Sequence, residues 1–120
     1  MALPIEKGAQ SMRIWDVPPA CLCRAHLLGE HRELHAVWTI LTTGRSGYAR
    51  HPETLRWQGK LRALWLRHEA LIAEMQHRGY RHASPLDETL ATGEAVQSYL
   101  IDPIDTQIAI LREKGCDCRV

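Results

Sequence analysis

The sequence predicts an all-α fold: a compact single-domain bundle of three main helices with short connecting helices. Three observations lead there. Apolar residues recur at three- and four-residue steps along two long stretches, the period of helices that bury one face. No stretch alternates apolar and polar residues as a half-buried strand does. The 120 residues, 45% hydrophobic and 24% charged, leave room for one core and no second.

Residues 1–11 show no apolar period and no signal-peptide stretch, and are read as an unstructured extension ahead of a domain spanning 12–115. Pro18-Pro19 suits a helix entrance. A first helix from Ala20 to about Leu41 then places Leu27, Leu34, Val37, Trp38 and Leu41 on one face, and Thr42-Thr43-Gly44 ends it. The polar turn Gly44-Arg45-Ser46-Gly47 leads to Pro52, read as the first turn of a second helix. Leu61, Leu64, Trp65, His68, Leu71, Ile72 and Met75 continue that helix until Arg78-Gly79 supplies a cation and a left-handed cap. Its expected length is about 39 Å at ~1.5 Å per residue. Ser84-Pro85-Leu86-Asp87 resembles a capping box opening a short helix that Ala91-Thr92-Gly93 breaks. Asp102-Pro103-Ile104-Asp105 opens the last helix, with Ile104, Ile108 and Leu111 as its buried stripe and Gly115 as its stop. Residues 116–120 form a short Cys-containing tail.

Composition narrows the function classes. No apolar run approaches the roughly 20 residues needed to span a bilayer, so a cytoplasmic protein without a membrane partner is expected. The net charge of +1 hides an asymmetry: residues 13–84 carry +5 and all seven histidines, residues 85–118 carry −5. Twelve of the 15 basic residues are arginine, whose planar fork suits phosphates. That count is compatible with one basic surface facing nucleic acid, although mixed-sign helix faces give similar counts.

Two groups of metal-ligating residue types stand out. Cys21-Leu22-Cys23 and Cys116-Asp117-Cys118 form two Cys-x-Cys pairs that an antiparallel bundle can bring together, and four thiolates suit zinc or an iron–sulfur cluster. Their one-residue spacing is tighter than usual zinc motifs, so reduced structural thiols are the first reading and no cofactor is expected. His31 and His35 are four apart, as helical metal ligands can be, but Glu33 does not follow the first histidine directly as the zinc-protease motif requires. They are read as solvated or phosphate-facing, with no metal assigned. Lys60 is read as a surface charge rather than an amine nucleophile.

The pair Arg32-Glu33 lies on the first helix within Leu27-Leu28-Gly29-Glu30-His31-Arg32-Glu33-Leu34, downstream of Met12-Arg13-Ile14. From Arg13-Ile14 through His26-Leu27, Glu30, Arg32-Glu33-Leu34 and Val37 the chain resembles, without a gap, the phage-type endonuclease V family of pyrimidine-dimer DNA glycosylases. A second block resembles the family at Lys60-Leu61, Leu64, Arg67, Leu71-Ile72-Ala73-Glu74 and Arg78-Gly79-Tyr80, with a weaker match at Ile108-Ala109-Ile110. The resemblance implies an all-helical enzyme of DNA repair, acting on double-stranded damaged DNA as a monomer. It implies that an N-terminal α-amine attacks the anomeric carbon, expels the damaged base and forms a Schiff base. A glutamate assists and then drives β-elimination.

On this chain the glutamate falls on Glu33 and the amine on Met12, which places the functional start there. Arg13, Arg32 and His26 map to DNA-gripping positions. The phage enzymes carry an arginine three residues after the glutamate where this chain has Ala36. The segment around Arg45-Ser46-Gly47-Tyr48 is shorter, and the aromatic, basic tail is replaced by Gly115-Cys116-Asp117-Cys118-Arg119-Val120. Cleavage at abasic sites is therefore the firmer expectation, ahead of dimer specificity. The alternatives are a non-catalytic helical DNA-binding module and a small metal-binding protein organised by the two Cys-x-Cys pairs.

Overall fold

The computed structural model describes residues 12–44, 50–82 and 84–120. The extension 1–11 and the turn residues Arg45, Ser46, Gly47 and Tyr48 lie outside the described residues. Among the described residues there are four α-helices, α1 (Arg24–Thr43), α2 (Pro52–Leu55), α3 (Leu61–His77) and α4 (Ile104–Glu113), with 3-10 turns at Pro19–Cys21 and Glu88–Leu90. Among the described residues there is no strand, and the all-α expectation holds. No helix among them is long and apolar enough to cross a membrane.

The central unit is α1 against α3. Leu27, Leu34, Val37 and Trp38 face Ala63, Leu64, Leu71, Ile72 and Met75 in one core, as the period predicted. Gly44 closes α1 with φ 71°. Met12, Ile14, Trp15 and Val17 bury their side chains in the same core, so the segment that opens the domain is fixed by packing although it is neither helix nor strand.

The long second helix does not form as one piece. A single turn, α2, stops at Leu55, and α3 starts at Leu61. The break is tertiary in origin. Gly59 takes a left-handed φ of 73°, its carbonyl accepts from Glu94 N at 2.9 Å, and the N–H groups of Arg62 and Ala63 in the first turn of α3 donate to Thr92 O and Glu94 O. The loop 92–94 thus satisfies donors that a helix start leaves unpaired. An isolated antiparallel bridge pairs Lys60 with Gly93. A β-carbon on Gly93 would stand 2.1 Å from Gly59 O, so the approach requires glycine there.

The last third follows the sequence more loosely. Asp87, not Ser84, caps the turn at Glu88–Leu90, its side chain accepting from Thr89 N. In α4, Ile104 is exposed while Gln107 and Leu111 are buried. The predicted apolar stripe is displaced because Gln107 turns inward to bind Asp16 and the carbonyl of Asp102.

Candidate active site

Residues 12–17 lack a helical or sheet partner, so their backbone polar groups need others. Two arginines supply them. Arg56 Nη2 donates to Ile14 O at 2.8 Å, and Arg67 Nη1 donates to Val17 O at 2.9 Å. Arg56 is itself buried and held by Glu53 Oε1 at 2.6 Å and Asp16 Oδ1 at 3.2 Å, while Trp57 Nε1 donates to the same Glu53 oxygen at 3.0 Å. Gln107 closes the network by binding both the amide and the carboxylate of Asp16. These contacts hold Ile14, Asp16 and Val17, directly after Met12 and Arg13. The Arg13 guanidinium pairs with Asp102 at 3.0 Å and lies 4.9 Å over the Trp15 ring.

Beside this segment a cavity of about 300 Å³ is lined by Arg13, Trp15, Ala25, His26, Gly29, Glu30, Arg32, Glu33 and Lys114. Four expected site residues, Arg13, His26, Arg32 and Glu33, therefore share one hollow. Met12, whose side chain is buried, immediately precedes Arg13. Two carboxylates reach the hollow in different states. Glu30 is buried and bound by Arg67 through two bonds, Nε to Oε2 at 2.6 Å and Nη2 to Oε1 at 3.0 Å. Glu33 is only partly buried; burial raises its carboxyl above the ordinary glutamate value, while Arg32 and His51 pull it down. Arg32 is exposed at the rim, and Lys114, from the end of α4, adds a cation that the sequence reading did not assign to the site.

The cysteines converge in part. Cys23, Cys116 and Cys118 meet around His26, whose Nδ1 lies 3.1, 3.5 and 3.3 Å from their sulfurs. Cys21 does not belong to this group: it sits in the 3-10 turn, and its carbonyl accepts from Arg119 N at 2.7 Å. The alternative set of four cysteines does not assemble; three cysteines and one histidine come together instead. His26 is shared between this cluster and the cavity wall, so it is not simply a DNA-facing group.

A second cluster joins His31 and His35 of α1 to His68 of α3 and His82 beyond it. The reading of His31 and His35 as solvated or phosphate-facing is corrected here, because their Nε2 atoms turn toward the buried His68. Burial, followed by repulsion from the neighbouring rings, lowers the His31 pKa to about 4. His68 carried a helical-face signal at most and His82, beyond the Gly79 stop, carried none; no spacing in the sequence joins them to His31.

A family model described as pyrimidine dimer DNA glycosylase matches residues 12–88. The chain belongs to the pyrimidine dimer DNA glycosylase family. No curated protein and no solved structure matches it. The matched span holds Met12, Arg13, His26, Arg32 and Glu33, and it also holds all four clustered histidines; Lys114, Cys116 and Cys118 lie beyond it. Membership in this family of DNA glycosylases makes DNA the substrate class.

Proposed function

We propose that the protein is a DNA glycosylase with associated lyase activity at abasic sites, acting as a monomer on damaged double-stranded DNA. Pyrimidine dimers are the lesion class that the family description names. The observation that carries this reading is the shared cavity: Glu33 lines it with Arg13 and Arg32, while Glu30, three residues earlier, is committed to Arg67.

In a chain beginning at Met12, the α-amine would adjoin Arg13. Such an amine titrates near ~7.7–8.0, against ~10.4 for lysine, so a useful fraction is the neutral nucleophile at neutral pH. Its nitrogen bonds to the anomeric carbon as the damaged base leaves with the glycosidic bonding pair. Ring opening gives the Schiff base. Loss of a proton from the adjacent sugar carbon then expels the 3′ phosphate, and water hydrolyses the imine to free the amine. Glu33 as carboxylate stabilises the positive charge that develops on the sugar and accepts the proton. Arg32 and Arg13 grip phosphates, offsetting the unstacking cost, a few kcal/mol, of exposing the nucleotide.

Borohydride trapping on abasic-site duplex tests the reading. A chain beginning at Met12 should give a covalent adduct that disappears when its amine is acetylated. Tight DNA binding without any adduct would replace the enzyme with a non-catalytic binding module. Active material found by mass spectrometry to begin at Met1 or Ala2 would refute the assignment to Met12.

A further inference from the structure

The four-histidine cluster lies outside the chemistry just described, and its geometry is specific. Nε2 of His31 is 3.0 Å from Nε2 of His82 and 3.1 Å from Nε2 of His35, which is 3.2 Å from Nε2 of His68. All four nitrogens lie within 4.8 Å of one another. An imidazole nitrogen has one in-plane direction, which holds either a proton or a lone pair. His35 Nε2 faces two such nitrogens, and His31 Nε2 faces two as well. A single proton on each cannot satisfy both contacts, whereas a cation at their common focus accepts every lone pair. A tetrahedral zinc with bonds of ~2.0–2.1 Å sets its nitrogens about 3.4 Å apart, close to the spacings observed. The remaining nitrogen of His68, Nδ1, is 2.9 Å from Glu69 Oε2. A carboxylate there fixes the tautomer that leaves Nε2 free to ligate, as second partners of metal-binding histidines do.

We propose that His31, His35, His68 and His82 bind a divalent transition-metal ion, zinc by the tetrahedral all-imidazole donor set. Four protein ligands close the coordination shell, so the ion is structural. It ties α1 to α3 and to the segment after α3. His31 and His35 bracket Glu33, which lies roughly 200° around the helix from His31 at ~100° per residue. The ion therefore fixes the rotation of α1 from the side opposite the carboxylate and holds Glu33 toward the cavity.

A second site is carried independently by Cys23, His26, Cys116 and Cys118. Zinc bonds of ~2.3 Å to sulfur and ~2.0–2.1 Å to nitrogen put such atoms about 3.5 Å apart, and the measured separations from His26 Nδ1 are 3.1 to 3.5 Å. Cys23 N donates to Cys118 Sγ at 3.0 Å, a bond suited to a metal-bound thiolate. This site staples the tail to the start of α1 and keeps Lys114 in the cavity wall.

Metal analysis of the full chain, purified under reducing conditions without chelator, should find about two equivalents of zinc per chain, one for each cluster. His82→Ala should lose one equivalent, His82→Cys should regain it, and His77→Ala should lose none. Cobalt loaded into a Cys116→Ser/Cys118→Ser variant should show four-coordinate absorption bands without thiolate charge transfer. A wild-type chain that retains no metal and takes up none when titrated with zinc would overturn both sites. Equal metal content in His82→Ala and wild type would overturn the histidine site, and equal content in Cys116→Ser/Cys118→Ser and wild type would overturn the cysteine site.

Discussion

Replacing Arg67 with methionine isolates the contact that joins the site to the core. The Arg67 side chain is 13% exposed and that of Glu30 0%, so the substitution leaves a carboxylate buried without its partner. Removing one member of a buried pair costs about 3–5 kcal/mol. The Val17 carbonyl loses a donor as well, which adds about 1 kcal/mol. The expected loss of roughly 4–6 kcal/mol is a large share of the ~5–15 kcal/mol that stabilises a domain of this kind. Thermal melts followed by circular dichroism should show a fall of roughly 15–30 °C. Combining Arg67→Met with Glu30→Leu should restore most of it, because the penalty belongs to the unpaired charge rather than to lost attraction. Arg62→Ala, which breaks a pair exposed 36% and 58%, should cost no more than ~1 kcal/mol. An Arg67→Met protein as stable as Arg62→Ala, or a double variant no better than the single one, would refute the reasoning.

Arg32→Ala should weaken binding to duplex DNA across sequences and reduce the slope of log affinity against log salt by about one, read by fluorescence titration over a salt series. Gly93→Ala should destabilise the fold by several kcal/mol in denaturant unfolding, because its β-carbon would meet Gly59 O at 2.1 Å and its φ is 84°. A strong chelator should lower the melting temperature of wild-type protein, with zinc restoring it, since an ion bound only by the native state stabilises that state. The same chelator should leave a variant lacking both clusters unchanged.

The helical fold was legible because local signals and burial agree along α1 and α3. Leu27, Leu34, Val37 and Trp38 keep the helical period, and Gly44 and Gly79 end their helices in left-handed conformations. The break before α3 was not legible, since it depends on loop 92–94 reaching Gly59 from more than thirty residues away. Glu30 did carry a signal: it falls on the apolar stripe between Leu27 and Leu34, where a charge implies a buried partner. The arginine count misled in part. Arg56, Arg67 and Arg78 point into the protein, where Arg78 Nη2 donates to Leu22 O at 2.6 Å, so the basic surface is smaller than composition implied. The two Cys-x-Cys pairs were visible, yet the fourth member of their cluster is His26, because α1 brings it one turn beyond Cys23 while the 3-10 turn carries Cys21 away. The His31 and His35 pair was visible too, but its partners come from α3 and from the irregular segment after it, which no period connects.

Glu33→Gln in a chain beginning at Met12 separates catalysis from binding at the carboxylate proposed for the cavity shared with Arg13 and Arg32. Single-turnover cleavage of an abasic-site duplex, measured alongside binding to the same duplex, should fall by about 10²–10⁴-fold while the dissociation constant stays near that of wild type. Cleavage at the wild-type rate would rule out Glu33 as the catalytic carboxylate and move that role to another group.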